Sequence, residues 1–250
     1  MSFLKNIFRR KEEARYPQLA DYSSVGVDMH SHLIPGIDDG CKSIPESLEL
    51  IKKFSELGFR KLITTPHIMS DAYRNTPEII FSGLEELRNA AQREGLSIEL
   101  DAAAEYYFDE EFSKLVKSKN LLCLSGKYVL FEVSYMNPPD NINEVIFNIR
   151  MAGYTPILAH PERYPFWYHR FDEYHKFKEA GVLFQLNTNS LAGYYGPDAK
   201  KIGEKMINEN MIDFIGSDMH GMRHMAALER CIHEKYLWQL AASGLKNSGL

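Results

Sequence analysis

Cysteine is scarce in this chain and carries no redox or metal-knot spacing: Cys41, Cys123 and Cys231 are the three thiols, and no CxxC pair occurs. Wide, odd-numbered spacing of this kind fits reduced thiols in a cytoplasmic protein better than a disulfide framework. No apolar run approaches the roughly 20 residues that cross a bilayer, and the start of the chain lacks a signal-peptide pattern. Basic charge is neither in excess nor clustered: 29 Lys and Arg against 34 Asp and Glu leave a net charge of −5. That excludes the footprint of a protein that binds a nucleic-acid backbone. Three catalytic loops are also missing. No cysteine is followed six positions later by arginine, and neither a GxSxG elbow nor a GxxxxGK[ST] phosphate loop occurs.

What is present is an ordinary globular composition, 44% hydrophobic and 25% charged over 250 residues. One domain of α/β-barrel size is the simplest organisation at this length. Seven apolar, β-branched runs recur: 25–30, 61–67, 97–107, 128–133, 155–161, 182–189 and 213–220. The segments between them look helical. Residues 43–57 pair Ser43 with Glu46 in capping-box spacing, place Pro45 in the first turn, repeat Leu48, Ile51, Phe54 and Leu57 on a stripe and stop at Gly58. A second helix opens at Thr76–Pro77–Glu78 and runs to Gly95. Strand and helix alternating seven times predict a parallel sheet with right-handed crossovers, closed into a seven-stranded βα barrel. An open doubly wound sheet is the alternative. Residues 1–24 read as an N-terminal extension to a domain over 25–250, and MSFLKNIFRRK at 1–11 admits weak peripheral membrane contact as well as a frayed, solvated arm.

The informative residues are polar ones at the ends of these runs. His30 and His32 end the first, His67 the second, Glu105 the third, Glu132 the fourth, His160 the fifth, and Asp218 and His220 the seventh. In a βα barrel such ends converge on one mouth. Residues two apart on a strand share a side, so His30 and His32 can reach one ion, and Asp218 with His220 repeats the spacing. Five of the nine histidines sit at such ends, whereas His169, His175, His224 and His233 fall in helical or loop segments. A lone strand-end histidine is commonly a hydrogen-bonded core residue, and a lone Asp38 or Asp39 can be a helix N-cap. Glu132 within LFEV is harder to explain that way, because a carboxylate among apolar neighbours must neutralise or meet a cation. Imidazoles and carboxylates without thiolates suit manganese, iron, zinc or cobalt. So many ligands call for two or three ions, with a carboxylate such as Glu105 bridging, and clustered ions activate water for phosphoester hydrolysis. Arg163, three residues after His160, has the fork geometry that matches phosphate, and Arg223 beyond SDMH is a second candidate.

These motifs resemble the PHP (polymerase and histidinol phosphatase) superfamily, and within it the bacterial metal-dependent protein-tyrosine phosphatases of capsule and exopolysaccharide operons. DMHSHLIPGIDDG, TTPH, AAAEYY, YVLFEVS, TPILAHPERY and FIGSDMH occur in that family's order, covering about residues 25–240. The resemblance implies a distorted seven-stranded barrel with two or three divalent ions, manganese or iron first and zinc or cobalt as alternatives. It implies metal ligation by His30, His32, Asp39, His67, Glu105, His160, Asp218 and His220, with Glu132 as ligand or base. Catalysis would involve Arg163, Glu132, Asp218 and His220, and phosphate would be held by Arg163; the family's second phosphate-binding arginine lies a little further beyond the SDMH aspartate than Arg223 does, so Arg223 stands on its position alone. The implied substrate is phosphotyrosine on an autophosphorylating tyrosine kinase of polysaccharide export. A small-molecule phosphoesterase, such as a histidinol-phosphate phosphatase, and a non-catalytic metal-binding scaffold are the rival expectations.

Overall fold

The structure is a computed structural model that describes residues 18–250. The basic segment 1–11 lies outside the described residues. The architecture is mixed α/β with every named strand pair parallel. The strands are β1 (Val27–Asp28), β2 (Lys61–Thr64), β3 (His67–Ile68), β4 (Glu99–Ala102), β5 (Glu105–Tyr107), β6 (Tyr128–Glu132), β7 (Thr155–Ala159), β8 (Leu183–Asn187) and β9 (Phe214–Gly216).

One continuous seven-stranded ladder was expected, and the hydrogen bonds draw something else: a three-stranded sheet ordered β1-β2-β4 and a six-stranded sheet ordered β3-β5-β6-β7-β8-β9. The second and third sequence runs are each broken once. Pro66, which has no N–H to give to a ladder, separates β2 from β3, and Ala103–Ala104 separates β4 from β5. Backbone bonds still cross the break, from Ala103 N–H to Thr64 O and from Glu105 N–H to Pro66 O. The last run also meets the first: Asp218 N–H donates to His30 O, His32 N–H donates to Met219 O, and Ser31 and Met219 form a parallel bridge.

Helices fill the crossovers. Ile44–Glu56 starts at the Ser43 cap, whose hydroxyl accepts from Glu46 N–H, and Glu46 reaches back to Lys42 N–H. Its buried face is Ser47, Leu50, Ile51 and Phe54, so the stripe is rotated from the one expected; Leu48 and Leu57 are only partly buried. Pro77–Arg93 begins at Thr76, which accepts from Ile79 N–H. A large apolar cluster packs the helices on the sheet's outer side, and a smaller one, including Val27, Met29, Ile63, Leu130, Ile157 and Phe214, gathers residues from six of the seven runs. Packing extends before residue 25. Tyr22 is fully buried, stacks on Phe59 and donates its hydroxyl hydrogen to Leu228 O.

Candidate metal centre

The carboxyl ends of the strands place side chains from distant parts of the sequence around a cavity of about 490 Å³. Two glycines make room for the first two histidines. A Cβ on Gly40 would stand 2.2 Å from His32 O, and one on Gly216 would stand 2.6 Å from His30 Cβ. A larger residue at either position would collide with His32 or His30, so both histidines pack directly on glycine backbone.

Glu105, fully buried, is the centre of the arrangement. Its Oε2 lies 3.2 Å from His30 Nε2, 3.5 Å from His32 Nε2 and 3.2 Å from His67 Nδ1, while its Oε1 lies 3.1 Å from His160 Nε2. Despite this crowding, Glu105 Oε2 and His67 Nδ1 have no hydrogen-bond partner. A buried carboxylate oxygen encircled by imidazole nitrogens and hydrogen-bonded to none of them is the geometry expected where a cation completes the contacts.

The far side of three imidazoles is tied down. His30 Nδ1 is 2.8 Å from Gln185 Oε1, and Gln185 uses its amide N–H on Leu186 O. His32 Nδ1 is 2.7 Å from Asp38 Oδ2, and His220 Nδ1 is 2.9 Å from Asp218 O. Since these acceptors require an N–H, we assign the proton to Nδ1 in each, leaving the Nε2 lone pair aimed inward, as in histidines that bind metal. Asp38 is thus not a helix cap; it also accepts from Gly40 N–H and His67 N–H.

Ligand-type atoms within 4.8 Å of one another form four overlapping groups: His32, Asp39, His67 and His220; His30, His32 and Glu105; His30, His160 and Asp218; and His67, Glu105 and Glu132. All nine residues singled out from the sequence are among them. Asp218 and His220, expected to face one ion together, fall in different groups. The reason is local: Asp218 has φ of 51°, so the alternation of an extended strand does not hold there. His160 is likewise left-handed, with φ of 34°, as it turns into the short 3₁₀ segment Pro161–Arg163.

The charges interact strongly. Burial by itself would lift Glu105, but the imidazoles of His30 and His67 outweigh it and hold the carboxyl well below the usual range. Glu132 goes the other way: burial, then the neighbouring Glu105 and Asp218 charges, push it well above. Burial and the Arg163 guanidinium bring His160 down to about 4. Nitrogen and oxygen donors held in this way, with no thiolate, could bind a borderline divalent metal.

Arg163 lines the same cavity, with Nη1 2.6 Å from Asp218 Oδ2. Arg223 does not. It is exposed in the first turn of the helix Met222–Cys231 and is not among the cavity residues; one position further round the helix, His224 takes that place and accepts from His220 N–H through Nδ1. Its position in a helical segment gives no sign of this from the sequence. Tyr107 lines the cavity, whereas Tyr106 is buried and accepts from Leu122 N–H with its hydroxyl oxygen. The supporting Gln185, Asn187, Tyr135 and Tyr195 were not picked out. For Gln185 and Asn187 the signal existed: two polar residues at i, i+2 in an apolar strand, as at His30 and His32.

Parallel strands that end on convergent imidazoles, carboxylates and an arginine define an α/β protein built around a metal centre. The chain belongs to the CpsB/CapC family of capsular polysaccharide synthesis, whose model matches residues 26–238. It is 31% identical to CapC of Staphylococcus aureus, over 78% of this chain and 77% of the relative. It is 27% identical to the tyrosine-protein phosphatase YwqE of Bacillus subtilis, over 79% and 78%. Among solved structures, a chain from the crystal structures of the metal-dependent tyrosine phosphatases YwqE from Bacillus subtilis and CpsB from Streptococcus pneumoniae matches with a TM-score of 0.76 and 25% identity, covering 82% of this chain and 85% of that one. An amidohydrolase from Mycoplasma synoviae shares the fold at a TM-score of 0.51 and 12% identity.

Proposed function

We propose that this protein is a metal-dependent protein-tyrosine phosphatase, a phosphoric monoester hydrolase acting in capsular or exopolysaccharide synthesis. The observation that carries this reading is the unsatisfied Glu105 Oε2 amid three imidazole nitrogens, in one cavity with Arg163. His30, His32, Asp39, His67, Glu105, Glu132, His160, Asp218 and His220 would hold two or three divalent ions, with manganese or iron as the metals. When bound there, such ions would supply an activated water at neutral pH and charge neutralisation for phosphoester hydrolysis.

The protein's own groups do the rest. Arg163 binds phosphoryl oxygens with the N–H groups it does not give to Asp218. Asp218 spans the site, Oδ1 toward His30 and His32 and Oδ2 toward Arg163, and so sets the arginine against the metal ligands. Glu132, held above the ordinary carboxylate range by burial and by Glu105, is placed to carry a proton. The leaving phenol has a reference pKa of about 10, so its departure needs little acid catalysis. The substrate assigned is phosphotyrosine on a polysaccharide-export tyrosine kinase, in the cytoplasm. The two sheets, joined across Pro66 and Ala103–Ala104, are taken together as one distorted seven-stranded barrel within a domain over 25–250.

The test is phosphate release from a phosphotyrosyl peptide with manganese, before and after chelation, beside histidinol phosphate. Turnover of the peptide that chelation removes and manganese restores is expected. Arg163→Ala should keep its metal and lose about a hundredfold in kcat/KM. Wild-type kinetics in that variant would end the phosphate assignment, and an inert, metal-loaded wild type would favour a small phosphoester or a scaffold.

A further inference from the structure

Arg163 is held on more sides than its ion pair requires. Its guanidinium carbon lies 4.0 Å from the centroid of the Tyr195 ring and 5.0 Å from that of Tyr135. Both rings therefore bear on the same guanidinium. Both rings are anchored by further contacts, and the Tyr195 hydroxyl also donates to Asp218 Oδ2 at 3.5 Å, the oxygen that pairs with Arg163, so only a variant that keeps the ring and drops the hydroxyl separates the two contributions. Tyr135 packs on Tyr164 and His160. The Tyr195 hydroxyl accepts from Asn187 Nδ2, which also donates to Asp218 Oδ2 at 2.9 Å. Tyr195 lies between Gly193 and Gly196, both at positive φ, in the turn that leads into the helix Pro197–Asn208.

A free arginine has several rotatable bonds, and a phosphate that binds it must first order them. An aromatic face over the guanidinium attracts the cation and restricts its plane, without occupying any N–H. The ion pair with Asp218 uses one donor nitrogen, Nη1, and the stacking leaves the others available. On the reading of Arg163 as the phosphate ligand, we propose that Tyr195, with Tyr135 against the same guanidinium, is a positioning residue that pre-orders Arg163 for phosphate through its ring face rather than its hydroxyl.

The experiment measures inorganic-phosphate affinity by equilibrium dialysis of the manganese-loaded protein, alongside phosphotyrosyl-peptide kinetics. Tyr195→Leu should weaken phosphate binding about tenfold and raise KM more than it lowers kcat, with metal content unchanged. Tyr195→Phe, which keeps the ring, should stay within about threefold of wild type. In an Arg163→Ala background Tyr195→Leu should have no further effect, because the residue acts through the arginine. Wild-type phosphate affinity in Tyr195→Leu would overturn the proposal, as would equal losses in the Phe and Leu variants or additivity with Arg163→Ala. If Tyr195→Leu fails to fold, Tyr135→Leu probes the second ring by the same readouts, and an unchanged affinity there overturns the proposal. A wild type that binds phosphate without hydrolysing the peptide would defeat the phosphatase reading and leave the affinity comparison decisive. A wild type that binds no phosphate would defeat both.

Discussion

The first and last strand runs meet along one seam, and its two ends are closed by different means. At the lower end a single fully buried side chain does it: Asn247, from the 3₁₀ turn Lys246–Gly249, donates to Val27 O and Ile215 O and accepts from Ile215 N–H. At the upper end the ligand residues close it themselves, with Asp218 N–H on His30 O and His32 N–H on Met219 O, beside a buried Asp28 that accepts from the Ser217 backbone and hydroxyl. The lower closure concerns only the fold. In the upper one, the backbone that joins the strands also carries the groups that would bind metal, so the two ends should respond differently to substitution.

The largest effect is expected from His160→Ala or Asp218→Ala. Activity and bound metal should both disappear while the lower seam keeps the chain folded, as metal analysis and circular dichroism would show. A variant that retained metal and turnover would remove that residue from the centre. Next is Asn247→Ala, which strands three buried backbone groups and should lower stability by about 3 kcal/mol in urea titration. Its kcat at 25 °C should match wild type, and a parallel loss of metal affinity would mean the two ends are not separable. The smallest effect sharpens the upper end: Asp38→Asn should reduce metal affinity by about 10- to 100-fold in a chelator competition, because His32 loses the carboxylate that fixes its proton on Nδ1. An unchanged affinity would leave Asp38 a loop-stabilising group only.

This contrast also explains what could be read from the sequence. Helix starts at Ser43 and Thr76 are local, one side chain meeting an N–H three residues on, and were legible. The ligand types at strand ends were legible too, since strand period and apolar context are written in consecutive residues. Partnerships over long separations were not. Gln185 meets His30 across 155 positions, Asn247 meets Val27 across 220, and nothing in either neighbourhood announces the other. Arg223 and His224 differ by one helical step, and which one faces the cavity depends on where the helix starts. The split of the sheets is partly legible in Pro66, which lies inside the second apolar run and cannot donate to a ladder.

His160 and Asp218 hold left-handed backbone without being glycine, a conformation that costs about 1–3 kcal/mol at each residue. Glycine would adopt either conformation freely, and each side chain would then be gone. Selection for thermal robustness alone would therefore erode the centre at these two positions first, and lineages that lost the need for its chemistry should drift toward glycine or asparagine there. The same logic warns a protein engineer that consensus stabilisation near these turns trades turnover for melting temperature.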